Sequence, residues 1–118
     1  GAVAKDDMTR ALGRDWPEVG LTMVGMARLE QLTVALTTCE KEKVVGDFVE
    51  CGVWRGGSSI FAAGVIRHLG MDRDVWLFDS FQGFPANTWD LDLEWTEAAA
   101  TNAYCSISLD EVKEGFQR

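Results

Sequence analysis

The spacing of apolar residues changes period several times along the chain, and each change marks an element. From Leu21 to about Lys43, Met26, Leu29, Leu32, Thr33, Leu36 and Cys39 recur every three or four positions. That spacing predicts an amphipathic helix, with Thr22 as its N-cap and Lys41 and Lys43 at its negative pole. Gly46-Asp47 breaks the pattern, and Phe48–Cys51 reads as a short buried strand of the kind found in parallel sheets. After a loop, Gly52–Gly57, helical spacing resumes at Ser58 or Ser59. It runs through Ile60, Phe61, Ala63, Gly64, Val65, Ile66 and Leu69 to a stop at Gly70. Val75–Phe78 is a second strand ending at Asp79, and a right-handed crossover makes it parallel to the first. Positions 86–101 read as irregular. Ser108 to Glu111 is a capping-box pattern opening a helix with Leu109, Val112 and Phe116 on one side.

The order strand, helix, strand points to an α/β, Rossmann-like fold. Two parallel strands do not cover themselves, so the chain is expected to be the front part of a larger domain, truncated after the first βαβ unit and the following helix. An uncovered sheet also invites self-association into a homo-oligomer. Residues 1–20 read as an N-terminal arm, with a break at Trp16-Pro17.

Composition narrows the function classes. The 118 residues carry a formal net charge of −8, which disfavours nucleic acid and anionic membranes as partners. No apolar run is long enough for a membrane span, and the first residues lack the apolar core of a signal peptide. Three widely spaced cysteines, Cys39, Cys51 and Cys105, suit neither a disulfide framework nor a zinc site. They read as reduced, mostly buried thiols of a cytoplasmic protein.

The chemistry centres on GDFVECGVWRGG, residues 46–57, and on Asp79, about thirty residues after Glu50. A strand, a glycine turn, a helix and a second strand ending in an acid build half of a nucleotide site. Glu50 beside the turn would repel a pyrophosphate, which weighs against NAD. S-adenosylmethionine carries an ammonium that Glu50 can stabilise. Its carboxylate can meet the N–H groups of Gly56, Gly57 and Ser58, and its ribose hydroxyls can reach Asp79. An NAD-binding fragment stays as an alternative, as does a turn with no ligand.

VECGVWRGGSSIF, VWLFDSFQGFP and SLDEVKEGF, with TMVGMARLEQL before the first strand, resemble the macrocin O-methyltransferase (TylF) family. The resemblance runs from about Trp16 to Arg118. It implies a class I methyltransferase fold, of which residues 21–118 would be the N-terminal, donor-binding half. It implies S-adenosylmethionine, Mg²⁺ and a small-molecule hydroxyl acceptor on a sugar or aromatic ring. Glu50, Gly52, Gly56 and Ser58 fall on the donor-loop motif, Asp79 and Ser80 on the ribose and adenosine motif, and Thr22 and Met23 on the entry to the first helix. The family's Mg²⁺ ligands and catalytic base lie in later segments, so no catalytic or metal residue is assigned here.

Other residues have two readings each. Trp54 walls the donor pocket or packs the loop. Arg55 bonds a loop carbonyl or a nearby acid. Phe81, Phe84, Trp89 and Trp95 line an acceptor pocket or pack a core or lid. Asp90, Asp92 and Glu94 form a solvated loop or lid, or a metal site. His68, at a helix end far from the glycine turn, reads as a surface residue rather than a base. A non-catalytic methyltransferase-like module that binds the donor or a protein partner is the alternative function.

Overall fold

A computed structural model describes residues 7–84 and 99–118. The elements are α1 (Asp7–Ala11), α2 (Met26–Lys41), β1 (Phe48–Cys51), α3 (Gly57–His68), β2 (Val75–Phe78), α4 (Ala99–Cys105) and α5 (Leu109–Gln117). The two strands are parallel, with Phe48 opposite Val75 and Cys51 opposite Phe78. Both strands and the α3 crossover fall where the pattern predicts.

One face of the strand pair is covered. Ala62 and Ile66 of α3 pack with Leu36 of α2 and Met71, and Phe48 and Val75 lie against them. Val112 of α5, Ile107 and Val53 form a second cluster with Leu77 and Phe81. The other face is open among the described residues: Val49, Trp76 and Phe78 are 54%, 51% and 56% exposed. The strands are therefore buried on one side only. Neither is buried on both faces, as their apolar runs suggest, because no described element crosses the second face. The cysteines are free, but Cys51 is exposed on that open face and the other two are only half-buried.

The first long helix begins later than its periodicity predicts. Its N-cap is Gly25, with no side-chain cap, and not Thr22. Residues 21–24 are instead drawn across the start of α3, where the Gly57 N–H donates to the Leu21 carbonyl at 2.8 Å. The α1 turn crosses α2 at Gly25, where a Cβ would collide with the backbone of residues 11–13. Arg10 ties the two segments, donating to Asp15 at 2.8 Å and to the Thr22 carbonyl at 2.5 Å. At the other end of the chain, the capping box of α5 forms as its sequence predicts. Helix α4 lies partly in the stretch that reads as irregular.

Candidate functional site

The C-terminal ends of the strands carry the turn 52–56, the first turn of α3 and the loop 79–83. The turn needs left-handed backbone at Gly52 (φ 82°), Trp54 (φ 48°) and Gly56 (φ 81°). A Cβ at Gly52 would meet open space, so only its backbone conformation asks for glycine; one at Gly56 would also press on Val112 at 3.0 Å. The Gly52 N–H donates to the Phe78 carbonyl at 2.7 Å, which carries the ladder one residue past the strand.

Asp79 closes the gap between the two loops. One carboxylate oxygen accepts the Val53 N–H at 2.8 Å and the other the Phe81 N–H at 3.0 Å. Burial pushes its carboxyl upward, but the N–H groups of Phe81, Val53, Trp54 and Ser80 outweigh that and hold it below the usual aspartate value. Each oxygen still has a lone pair to offer. Ser80 serves the same loop, its hydroxyl donating to the Gly83 carbonyl at 2.8 Å and accepting the Gln82 N–H at 3.3 Å.

Glu50 faces α3, where one of its oxygens accepts the hydroxyl of Ser59. Ser59 is fully buried, in a stripe with Ala62 and Ile66. It is the site residue that the sequence reading missed. Its signal is the spacing 59, 62, 66, which puts a serine on the core face of α3.

The start of α3 offers less than its sequence suggests. The Gly56 N–H donates to the Val53 carbonyl and the Gly57 N–H to the Leu21 carbonyl, both at 2.8 Å. Two of the three groups expected to receive a carboxylate are therefore already engaged. Among the described residues no acceptor meets the N–H of Ser58 or Ser59. The Ser58 hydroxyl lies 3.1 Å from that of Thr22, which also accepts the Val24 N–H at 3.2 Å. Thr22 thus stands beside the first turn of α3 through Ser58. Met23 lines a different groove of about 200 Å³, with Leu12, Gly13 and Arg28.

Trp54 and Arg55 are used in packing. The Trp54 indole N–H donates to the Tyr104 carbonyl at 2.9 Å, and its ring lies 5.1 Å from that of Tyr104. The Arg55 guanidinium sits 4.4 Å over the Trp54 ring and donates to the carbonyls of Pro17, Glu18 and Gly20 at 3.0–3.2 Å. Of the aromatics with two readings, Phe81 packs in the second core cluster and Phe84 is exposed. Trp89, Asp90, Asp92, Glu94 and Trp95 lie outside the described residues. Among the described residues no three His, Cys, Asp or Glu side chains are grouped to hold a metal ion. His68 is exposed at the last turn of α3, roughly 16 Å along the axis from Gly57 at about 1.5 Å per residue.

A family model described as "Macrocin-O-methyltransferase (TylF)" matches residues 2–118. The chain belongs to this family. Among curated members it is 44% identical over 113 residues to an 8-demethyl-8-(2,3-dimethoxy-alpha-L-rhamnosyl)-tetracenomycin-C 4'-O-methyltransferase of Streptomyces olivaceus, covering 92% of this chain and 43% of that protein. It is 48% identical over 82 residues to a mycinamicin III 3''-O-methyltransferase of Micromonospora griseorubida, covering 69% of this chain and 32% of that one. The solved structure of the O-methyltransferase NovP superposes with a TM-score of 0.82 at 37% identity, over 94% of this chain and 47% of that one. The α/β architecture read from the sequence is therefore that of this methyltransferase fold. The chain spans less than half the length of each of these relatives.

Proposed function

We propose that this chain is the part of a cytoplasmic O-methyltransferase that holds S-adenosylmethionine, with residues 21–118 forming the donor-binding region and residues 1–20 an arm against it. The acceptor is a sugar or aromatic hydroxyl of a natural product, by analogy with what the relatives are named for. The observation that carries this reading is the pair of acids at adjacent strand ends, Glu50 and Asp79, on either side of a left-handed turn and an open helix start.

The fit is chemical. The Ser58 N–H suits the donor's carboxylate, Glu50 its ammonium, and the spare lone pairs of Asp79 its ribose hydroxyls. The bound donor supplies a methyl group on a cationic sulfur. In transfer the acceptor oxygen forms a bond to that carbon as the sulfur–carbon bond breaks, and the hydroxyl proton leaves to a base. Asp79 and Glu50 orient the donor; among the described residues none is placed to take the proton. The Mg²⁺ implied by the family finds no ligand set among the described residues, and no step is assigned to it.

Calorimetric titration of the folded 118-residue chain with S-adenosylhomocysteine tests the reading. Saturable one-site binding is expected, and absence of binding by a chain with a cooperative unfolding transition would reject it. The exposed Val49, Trp76 and Phe78 favour a second reading, a module that binds a protein partner or a second copy through the open sheet face. A monomeric mass by light scattering at high concentration would count against a second copy.

A further inference from the structure

Residues 16–22 run as a strap over the start of α3, and one side chain gathers most of it. Arg55 donates to three strap carbonyls, those of Pro17, Glu18 and Gly20. Its guanidinium is held flat by Trp54 at 4.4 Å, with Tyr104 at 5.3 Å. Tyr104 fixes the strap again, through its hydroxyl to the Pro17 carbonyl at 2.7 Å and its ring against Trp16 at 4.9 Å. The strap then makes two contacts with the donor loop. The Leu21 carbonyl takes the Gly57 N–H, and the Thr22 hydroxyl meets that of Ser58. A side chain at Gly57 would have to displace the strap or the helix, because a Cβ there would overlap the Leu21–Thr22 backbone.

We infer that Arg55 is a positioning residue for the amino-acid end of the methyl donor, acting through the strap on Ser58. One terminal nitrogen of the guanidinium, Nη1, shares its two hydrogens among the three carbonyls and so fixes the path of residues 17–20. That path brings the Leu21 carbonyl and Thr22 hydroxyl to the first turn of α3. There the strap removes the Gly57 N–H from the anion-binding set and orients the Ser58 hydroxyl. The carboxylate is left with Ser58, since Ser59 is fully buried, so the strap sets both the place and the number of its donors. Asp79, on the other loop, meets the turn only through backbone N–H groups and touches neither the Arg55 side chain nor the strap. The Arg55 side chain therefore acts on the amino-acid end and reaches the adenosine end only through the backbone of the turn. This inference rests on the donor reading above.

Two ligands separate the ends. S-adenosylhomocysteine carries the amino-acid end, and 5'-methylthioadenosine lacks it. In calorimetry on the 118-residue chain, Arg55→Gln should weaken S-adenosylhomocysteine binding by roughly tenfold, the scale of one lost hydrogen bond, and leave 5'-methylthioadenosine within about twofold. Arg55→Lys keeps the charge but not the planar group stacked on Trp54 and should fall between. Thr22→Val removes the hydroxyl link without touching Arg55 and should show the same split, which covers the case of an Arg55 variant that fails to fold. A parallel loss for both ligands, as general loosening would give, overturns the inference, and so does no loss for either. If the unaltered chain binds neither ligand, the donor reading itself fails and this inference falls with it.

Discussion

The two ends of the β1–β2 pair are built from the same polar parts. At the N-terminal end Asp47 accepts the Asp74 N–H at 3.1 Å and the Trp76 indole N–H at 2.9 Å, and Arg73 donates to the carbonyls of Gly46 and Val44 at 2.8 and 2.5 Å. At the C-terminal end Asp79 bridges the strand loops and Arg55 gathers the strap carbonyls. Each end therefore has one aspartate across the strands and one arginine on an incoming segment. The difference is the company they keep. Both ends have a second acid, Asp74 beside Asp47 and Glu50 beside Asp79, but among the described residues only the C-terminal end meets a helix that starts with an unengaged N–H, that of Ser58. Parallel strands point their C-terminal ends at helix N-termini, which is why ligands of α/β sheets collect there. An acid at a strand end is a tie in both places, and only its neighbours make one of them a candidate site.

The sharpest way to break that comparison is to remove each aspartate in turn. Asp79→Ala should lower S-adenosylhomocysteine affinity by about ten- to a hundredfold, the loss expected for a charged hydrogen-bonding group. Asp47→Ala should leave affinity unchanged in the same titration. Equal losses would mean that both ends act only by holding the strands.

Next in size is the crowding at the start of α3. Gly57→Ala puts a methyl group into the Leu21–Thr22 backbone, so the strap or the helix must shift. A loss of about 1–3 kcal/mol in urea unfolding is expected, as for other overpacked sites. An unchanged midpoint would show that the strap is not packed on α3 in solution.

Acid should affect both ends alike. The Trp76 indole N–H, the Asp74 N–H and Arg73 hold Asp47 below its usual value. At Asp79 the backbone N–H groups do so against the effect of burial. A carboxyl that titrates lower when folded contributes stability that is whole above its unfolded value, near 4. That stability is lost as pH falls through the folded value. Urea midpoints should therefore be flat with respect to these two groups from about pH 5 to 8 and fall toward pH 3. Asp47→Asn and Asp79→Asn should each make that fall shallower. A variant with an unaltered acid limb would remove its aspartate from the account.

Much of this was legible in the sequence because local patterns decide it. Phe48–Cys51, Val75–Phe78 and the Ser108 capping box carry short-range signals, and each forms where it is read. Glu50 and Asp79 were legible as strand-end acids. Thr22 was misread because its cap pattern is local, while its actual partner, Ser58, is 36 residues away. The glycine turn was credited with three N–H donors because nothing in GVWRGG shows that the Leu21 carbonyl comes across to take one. Ser59 looked like a helix-start residue, and its burial depends on Glu50 being within reach. Alternating exposure of β1 and β2 was hidden because apolar residues occupy both faces and only the covered one is core.

The smallest expected effect tests the same helix where no strap crosses it. Gly64 lies seven residues after Gly57 in α3, is exposed, and would meet nothing within 4 Å on gaining a Cβ. Glycine inside a helix costs about 0.5–1 kcal/mol relative to alanine, since it has more backbone freedom to lose on folding. Gly64→Ala should thus raise the urea midpoint by an amount equivalent to about 0.5–1 kcal/mol, while leaving S-adenosylhomocysteine affinity unchanged. The same change therefore carries opposite signs at two glycines of one helix, and the sign depends on whether the strap is there. If Gly64→Ala also destabilises, something covers the groove beside Thr33, Phe61 and His68, and the contrast with Gly57 would then measure packing on both sides and not the strap alone.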